Sequence, residues 1–121
     1  MTKKSNILPI DILFICTGNR DRSKTAEIVI NKRFPKFVCK SAGTHSVMCQ
    51  LNGSQLVNQR LVNASESIVF MQPYHYIMTA FHFMLPPDQQ HHIWNIHKSH
   101  KFMEEDLINE ILKNFRSTFH V

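Results

Sequence analysis

The feature that most constrains the fold is a nearly continuous apolar segment, residues 10–15, in which only Asp11 is polar. A strand with one face in water alternates apolar and polar residues, whereas a strand of a parallel sheet is covered on both faces and reads as an unbroken apolar run. Parallel strands need a crossover connection, which is usually a helix. The segment therefore predicts a parallel sheet whose strands alternate with helices.

The alternation of strand and helix continues along the chain. Residues 23–34 place apolar side chains at helical spacing, and Pro35 ends the segment. Further strands are predicted at 36–41, 67–71 and 92–96, and further helices at 54–64, 73–84 and 103–115. Residues 42–53 hold two of the three glycines without a clear period and are predicted as a loop. This order predicts an α/β fold, with a mainly parallel four-stranded sheet and helices on both faces.

The length of the chain limits the number of sites it can carry. Its 121 residues are enough for one core and too few for two, so residues 1–121 are expected to form a single domain. No stretch approaches the roughly 20 apolar residues that a membrane span requires, and the start MTKKSNILPID lacks the apolar centre of a signal peptide. We therefore expect a cytoplasmic protein that has no membrane partner.

The cysteines and histidines do not follow a metal-binding or disulfide pattern. The three cysteines are an odd number with no C-x-x-C pair, so at least one thiol is expected to be free: Cys16, Cys39 and Cys49. Four histidines fall within ten residues late in the chain: His91, His92, His97 and His100. Adjacent residues of a strand point to opposite faces, so a histidine-rich surface is favoured over a transition-metal site. Neither a metal nor another cofactor is expected.

The net charge of +5 favours an anionic ligand, either a phosphate group or a nucleic acid. The lysines and arginines are scattered along the chain and do not form the dense stripe, interleaved with aromatic residues, that is typical of nucleic-acid binders. A nucleic-acid partner is therefore the weakest of the hypotheses that the charge allows.

The end of the first strand carries the residues with the most specific chemistry. A turn from a strand into a helix presents unpaired backbone N–H groups at the positive end of the helix dipole, which favours a bound phosphate group. The same field stabilises a thiolate at Cys16, while the planar fork of Arg22 can bind two phosphate oxygens and the Ser23 hydroxyl can donate to the sulfur. Gly18 permits a close backbone approach, and Asn19 tolerates a left-handed conformation. The spacing therefore indicates nucleophilic attack on a phosphoryl group; the alternative is a structural cysteine beside a serine that starts a helix.

These residues also carry a resemblance to a known family. The segment ILFICTGNRDRSKTAE closely resembles the active-site loop of the low-molecular-weight protein tyrosine phosphatase family, in which a strand leads into C-x-G-N-x-x-R-S. The form N-R-x-R-S-x-T-A-E, at residues 19–27, is similar to the short branch of that family. A second match is K-S-A-G-T at residues 40–44, and the order of elements extends the resemblance over nearly the whole chain.

The resemblance implies a phosphatase that acts on a phosphorylated protein or a small phosphomonoester and is inhibited by inorganic phosphate or vanadate. It implies that Cys16 is the nucleophile, that Arg22 binds phosphate and that Ser23 donates a hydrogen bond to the leaving thiolate. Asn19 would support the loop together with Ser41. The residues implied to surround the phosphate are consecutive: Thr17, Gly18, Asn19, Arg20, Asp21 and Arg22.

One part of the family pattern is missing. The family's catalytic acid is an Asp after the fourth strand, in D-P-Y or in a stretch like D-I-P-D-D-Y, whereas residues 95–100 read N-I-H-K-S-H. An acid that protonates the departing oxygen contributes roughly 10²–10⁴-fold. The candidate replacements are His97, His100, Glu104 and Glu105. Candidates for the aromatic wall beside a phosphotyrosine ring are Tyr74 and Phe102.

Three hypotheses from different classes follow. The leading one is a phosphatase that forms a phosphocysteine, and the second is a phosphate- or phosphoprotein-binding module that kept the loop and lost the acid. The third, a nucleic-acid-associated protein, rests on charge alone. Thioredoxin-linked arsenate reductases share the loop, but they need two further cysteines late in the chain, and no cysteine follows Cys49.

Overall fold

The computed structural model describes residues 9–121 and contains four strands that alternate with helices. In chain order the elements are β1 (Ile10–Cys16), α1 (Arg22–Arg33), β2 (Cys39–Gly43), α2 (Ser46–Asn52), α3 (Gln59–Ala64), β3 (Ser65–Phe70), α4 (Pro73–His82), β4 (Gln90–Ile93) and α5 (Glu105–Phe119). The sheet has the order β2-β1-β3-β4, and each neighbouring pair is parallel. The predicted α/β fold with a four-stranded parallel sheet is confirmed.

The register of the sheet aligns the carboxyl ends of the strands. Cys16, the last residue of β1, lies opposite Gly43, the last residue of β2. Ile15 lies opposite Phe70 of β3, and Phe70 in turn lies opposite Ile93 of β4. The loops that leave these four strands therefore start along one edge of the sheet, where ligands bind in open α/β folds.

The sheet is covered on both faces, as the apolar run of β1 requires. Phe14 packs in one core with α1 and α5, which contribute Ile30 and Phe115. Leu13 and Ile15 pack in the other core, together with residues of α3 and with the ring of Tyr76 in α4. Since successive side chains of a strand point to opposite faces, the unbroken apolar sequence of β1 supplies both cores.

The last helix is the clearest amphipathic element. Leu107, Ile111 and Phe115 recur at spacings of four, and all three are fully buried. Glu105 and Asp106 stand in the first turn, where the helix dipole favours negative charge. The predicted helix at 103–115 is found here, shifted by two residues at its start and four at its end.

The segment between β2 and β3 was predicted less well. The prediction of a loop at 42–53 is wrong for residues 46–52, which form α2, and Gly53 ends this helix with a left-handed φ of 64°. Only Cys49 of α2 is buried, so the helix has no apolar face that a periodicity could reveal. The predicted helix at 54–64 begins only at Gln59, because Leu56 pairs with Gly43 beside the sheet.

The strand bounds differ by a few residues. The predicted strand at 36–41 lies at Cys39–Gly43, and the one at 92–96 lies at Gln90–Ile93. In the part of the chain described, no helix is both long and apolar enough to cross a membrane.

Candidate active site

Residues 17–21 connect β1 to α1 and line a pocket at the carboxyl edge of the sheet, except for Asn19, which is buried behind it. We call these residues the β1–α1 loop. The pocket has a volume of about 560 Å³. Asn19 in the loop has a left-handed φ of 49°, a conformation that asparagine tolerates better than most residues. The loop is thus a tight turn that brings the residues on either side of it, Cys16 and Arg22, to the pocket.

The Cys16 sulfur lies within a chain of buried polar side chains. Its Sγ is 3.0 Å from the Ser23 Oγ. The Asn19 side-chain amide donates to the Ser23 Oγ at 2.9 Å and to the Ser41 Oγ at 2.8 Å. Because Asn19 donates to the Ser23 oxygen, the Ser23 hydroxyl proton has two acceptors within reach, and the sulfur at 3.0 Å is closer than the Ala42 carbonyl at 3.4 Å. The arrangement can stabilise negative charge on Cys16.

The backbone of the β1–α1 loop is held from outside. The carbonyls of Cys16 and Thr17 accept from the N–H groups of Thr44 and His45, each at 3.0 Å. In a trans peptide the next N–H points opposite to the carbonyl. The N–H groups of Thr17 and Gly18 therefore point away from these partners, and both residues line the pocket. N–H groups presented in this way suit an anion.

Arg22 is buried, with only 5% of its surface exposed, and its guanidinium is fixed from two sides. Its Nη1 donates to the Gln72 Oε1 at 2.6 Å and to the Ile96 carbonyl at 2.9 Å. Its Nη2 is 3.4 Å from the Thr17 Oγ1. Burial lowers the pKa of Arg22, and the nearby Cys16 and Asp21 oppose this shift. The planar fork is thus held rigidly in the pocket wall.

His75 is a pocket residue that sequence reasoning missed. Its Nδ1 accepts from the Gln72 N–H at 3.0 Å, so the proton is assigned to Nε2, which lies 2.9 Å from the Thr17 Oγ1. Burial and the Arg22 charge lower the pKa of His75 to about 4. The ring is therefore neutral near pH 7 and joins the start of α4 to the β1–α1 loop. The spacing of Gln72 and His75 around the start of a helix is the one signal that could have indicated this link.

The other walls come from three separate segments. Met48 and Asn52 belong to α2, Tyr74 stands at the start of α4, and Lys98 follows β4. Of the two aromatic candidates for a wall, Tyr74 lines the pocket, whereas Phe102 does not. Arg20 and Asp21 of the loop also line it, and Arg20 Nε lies 3.6 Å from Asp21 Oδ1.

The four candidate acids lie outside the pocket lining. The imidazole of His100 contacts Glu110 of α5 at 3.0 Å and Glu104 at 3.6 Å. The Nδ1 of His97 is bound by Ser99, and Glu105 is exposed at the start of α5.

The segment that precedes α5 is tied to α1. Asp21 Oδ1 accepts from the Phe102 N–H at 3.0 Å, and Thr25 Oγ1 accepts from the Met103 N–H at 2.9 Å. Lys101 N–H donates to Glu104 Oε1 at 2.8 Å, which closes the turn before the helix. These bonds fix the course of residues 101–104.

The two other thiols do not share the environment of Cys16. Cys39 and Cys49 are buried and, like Cys16, form no disulfide. Burial raises the pKa of Cys39 to about 12 and also raises the pKa of Cys49. Within residues 9–121, no group of three His, Cys, Asp or Glu side chains is placed to hold a metal ion.

Comparison with known proteins gives one family. The family model described as low molecular weight phosphotyrosine protein phosphatase matches residues 11–75, a range that includes the β1–α1 loop, Ser41, Gln72 and His75. No curated protein sequence is significantly similar to the chain.

Several solved structures share the fold. The Wzb protein of Vibrio vulnificus, solved with benzylphosphonate, is 18% identical with a TM-score of 0.65, over 90% of this chain and 98% of that one. A low molecular weight protein tyrosine phosphatase from T. tengcongensis is 16% identical with a TM-score of 0.64, over 89% and 99%. A thioredoxin-dependent arsenate reductase from Corynebacterium glutamicum is 16% identical with a TM-score of 0.61, over 96% and 63%.

Proposed function

Because the chain belongs to the low molecular weight phosphotyrosine protein phosphatase family, we propose that it hydrolyses aryl phosphate monoesters, phosphotyrosine among them, through a phosphocysteine on Cys16. The substrate is a phosphorylated protein or a small phosphate ester. Inorganic phosphate and vanadate inhibit it because they bind where the phosphate group of the substrate binds.

The observation that carries the proposal is that Cys16 and Arg22 line the same pocket. The Cys16 Sγ has a hydroxyl partner at 3.0 Å, and the Arg22 fork is fixed by Gln72 and the Ile96 carbonyl. A phosphate held by Arg22 and by the N–H groups of the loop presents its phosphorus to the sulfur. A cysteine with a purely structural role would need neither the buried Arg22 nor the hydrogen-bonded side chains that connect the sulfur to Ser23 and Asn19.

The reaction then proceeds in two displacements. The Cys16 thiolate attacks phosphorus and the alcohol or phenol departs, which leaves a phosphocysteine. Water attacks this intermediate, and the sulfur leaves as a thiolate that the Ser23 hydroxyl stabilises. Because the nucleophile is a free thiol, the reaction suits a reducing compartment such as the cytoplasm.

A binding module is the second candidate function, and one observation favours it. From the segment that follows β4, the pocket receives Lys98 and no carboxylate. Phosphate binding needs the β1–α1 loop and Arg22, whereas turnover of a poorly acidic leaving group also needs a proton donor. A chain that bound phosphate without turnover would fit this second function.

A steady-state assay with p-nitrophenyl phosphate and a phosphotyrosine peptide tests the proposal. Cys16→Ser should abolish turnover of both substrates. Arg22→Lys keeps the charge but loses the bidentate fork, so it should remove most affinity and turnover. Arg20→Lys is the matched variant, and it should lose much less because Arg20 is exposed and paired with Asp21.

Each outcome separates the candidate functions. Turnover that survives Cys16→Ser contradicts the phosphocysteine. A larger loss in Arg20→Lys than in Arg22→Lys contradicts the assigned register of the loop. No turnover of either substrate by the wild type, with phosphate still bound, supports the binding module.

A further inference from the structure

Lys98 brings the one ammonium group among the described pocket residues to the side of the pocket formed after β4. The pocket also contains the nucleophile and the phosphate-binding arginine, but the four acids suggested by sequence lie outside its lining. The departing oxygen of an aryl phosphate leaves opposite to the attacking sulfur, on the open side of the pocket. A group that protonates this oxygen must therefore stand in the pocket wall.

We propose that Lys98 is this proton donor, so that the enzyme uses an ammonium ion where a carboxylic acid would ordinarily act. The inference rests on the proposed phosphatase function. It assigns Lys98 a catalytic role and restricts the substrates to esters of phenols.

The other ionisable groups of the pocket are poorly suited to the task. Asp21 Oδ1 accepts from the Phe102 N–H at 3.0 Å and lies 3.6 Å from Arg20 Nε, so this oxygen is already bound by two donors and is turned toward residues outside the phosphate site. His75 directs its only proton to Thr17, and burial lowers its pKa to about 4. A phenol such as Tyr74 would be left as an anion beside the phosphoryl group, whereas an ammonium ion is left as a neutral amine.

Lys98 is not engaged elsewhere in the described structure. Its side chain is exposed, and none of the ion pairs found among residues 9–121 includes it. An unpaired ammonium group beside a phosphate-binding site is attracted to the negative charge that develops on the departing oxygen.

Lys98 gives up one proton in the first displacement and regains one in the second. In the first, the Cys16 Sγ–P bond forms, the P–O bond to the phenol breaks, and a Lys98 Nζ proton passes to the departing oxygen. The products are a neutral phenol, a neutral lysine amine and the phosphocysteine. In the second, the amine takes a proton from the attacking water, the Sγ–P bond breaks with its electron pair returning to sulfur, and inorganic phosphate leaves. Lys98 ends as an ammonium ion again.

The match of acidities explains the restriction to phenols. The reference pKa of a lysine ammonium is about 10.4 and that of a tyrosine phenol is about 10, so proton transfer between these groups is close to balanced. An alkoxide, as from phosphoserine, is far more basic, and its departure would need a stronger acid than an ammonium ion. p-Nitrophenol is acidic enough to leave without a proton.

The test compares kcat/KM for phenyl phosphate and p-nitrophenyl phosphate in Lys98→Met, Lys98→Arg and the control Lys101→Met. Lys101 is an exposed lysine in the same segment that does not line the pocket. We expect Lys98→Met to lower kcat/KM by roughly 10²-fold or more for phenyl phosphate and by less than about 10-fold for p-nitrophenyl phosphate. Lys98→Arg should show the same selective loss, because a guanidinium keeps the charge but does not give up its proton. Lys101→Met should change neither value.

A second measurement keeps the result interpretable. Protection of Cys16 from alkylation by phosphate, measured in Lys98→Met, should be retained and would show that the loop and pocket are intact. Equal losses for the two substrates, no loss for either, or full activity of Lys98→Arg on phenyl phosphate would each overturn the role of Lys98 while Cys16-dependent turnover stands. Absence of Cys16-dependent turnover in the wild type would instead overturn the proposed function, and the role of Lys98 with it.

Discussion

Cys16 is almost fully buried, with 3% of its surface exposed, but unlike the other two cysteines it borders the pocket. The sulfur lines the pocket at the start of α1, beside the Ser23 hydroxyl and near Arg22. Cys39 lies within β2 and Cys49 within α2, both fully buried. Cys16 therefore differs from the other two thiols in facing the pocket and in the polar groups around it, and reactivity should separate the three.

Alkylation measures this difference directly. We predict that iodoacetamide labels Cys16 rapidly at about pH 6, whereas Cys39 and Cys49 stay slow because burial raises their pKa. Phosphate or vanadate should protect Cys16 by filling the pocket. The measurement is the rate of labelling of each cysteine-containing peptide by mass spectrometry. Equal rates for the three thiols would contradict the assignment of Cys16.

The buried His75 should make the stability of the protein depend on pH. Its folded pKa is about 4, against an ordinary value of 6.5. Between these values the unfolded chain binds a proton that the folded chain does not. Stability is therefore fully present above about pH 6.5 and is lost as the pH falls toward 4, by up to about 3 kcal/mol.

Urea unfolding at several pH values between 7 and 4 tests this prediction. His75→Gln should remove most of the loss, while the control His97→Gln, which changes an exposed histidine, should keep it. The unfolding free energy should still fall somewhat with pH in both variants, because burial also lowers the pKa of His91 and His92. An unchanged slope in His75→Gln would show that His75 is not the titrating group.

At the scale of elements, the end of β2 determines how closely α2 and the β1–α1 loop can approach. A Cβ built on Gly43 would lie 2.5 Å from the Cys49 Sγ and 2.5 Å from the Thr17 carbonyl oxygen, which are far inside contact distance. The Thr17 oxygen belongs to the backbone of the loop and cannot rotate away. Only glycine at this position lets the loop, β2 and α2 meet.

Gly43→Ala should therefore displace the loop and reduce phosphate affinity together with stability. We expect a loss of at least about 2 kcal/mol in unfolding free energy, in the range of overpacked cores. Gly53→Ala is the matched control, because a Cβ there meets nothing within 4 Å and the cost is confined to its φ of +64°, about 1 kcal/mol. Urea unfolding and phosphate protection of Cys16 report the two effects. Similar losses in both variants would show that packing at Gly43 is not the cause.

The elements also show how far a sequence predicts this structure. The unbroken apolar run of β1 predicts a strand covered on both faces, and the apolar residues of α1 and α5 predict helices because they recur at helical spacing and are buried. α2 was not predicted, because its stability comes from its caps, His45 and Gly53, and from one buried cysteine. Local pattern thus predicts an element only where the element carries its own buried face.

The same limit applies to the candidate site. The β1–α1 loop is contiguous in sequence, so its chemistry could be inferred from one motif. Gln72, His75 and Lys98 come from distant segments, and only the parallel sheet brings them to the same edge. The sequence of residues 97–105 does not show which side chains face the pocket, and the family pattern, which has a carboxylic acid there, does not indicate a lysine.

For the molecule as a whole, the β1–α1 loop and Arg22 connect several segments that are distant in sequence. Its residues and Arg22 bond to the end of α2 through Asn52, to the segment after it through Ser54 and Gln55, and to the start of α4 through Gln72. Since the loop is held by nearly every part of the chain near the pocket, its order is coupled to global folding. A ligand that binds only the ordered loop must then stabilise the whole protein.

Phosphate should therefore raise the Tm of the wild type. At 100 times its Kd a ligand contributes about 2.7 kcal/mol, which corresponds to a rise of roughly 5–15 °C for a chain of this size. Cys16→Ser should show a similar rise, because the proposed function assigns the thiol to the chemistry and the arginine to binding, whereas Arg22→Lys should lose most of it. Phosphate also stabilises proteins by exclusion from their surface, and Arg22→Lys in the same buffer measures that general effect.

Calorimetry at several phosphate concentrations, with sodium chloride at matched ionic strength, makes the comparison. Equal rises in the wild type and Arg22→Lys would show that phosphate is not bound by this arginine, which neither the phosphatase nor the binding module could accommodate.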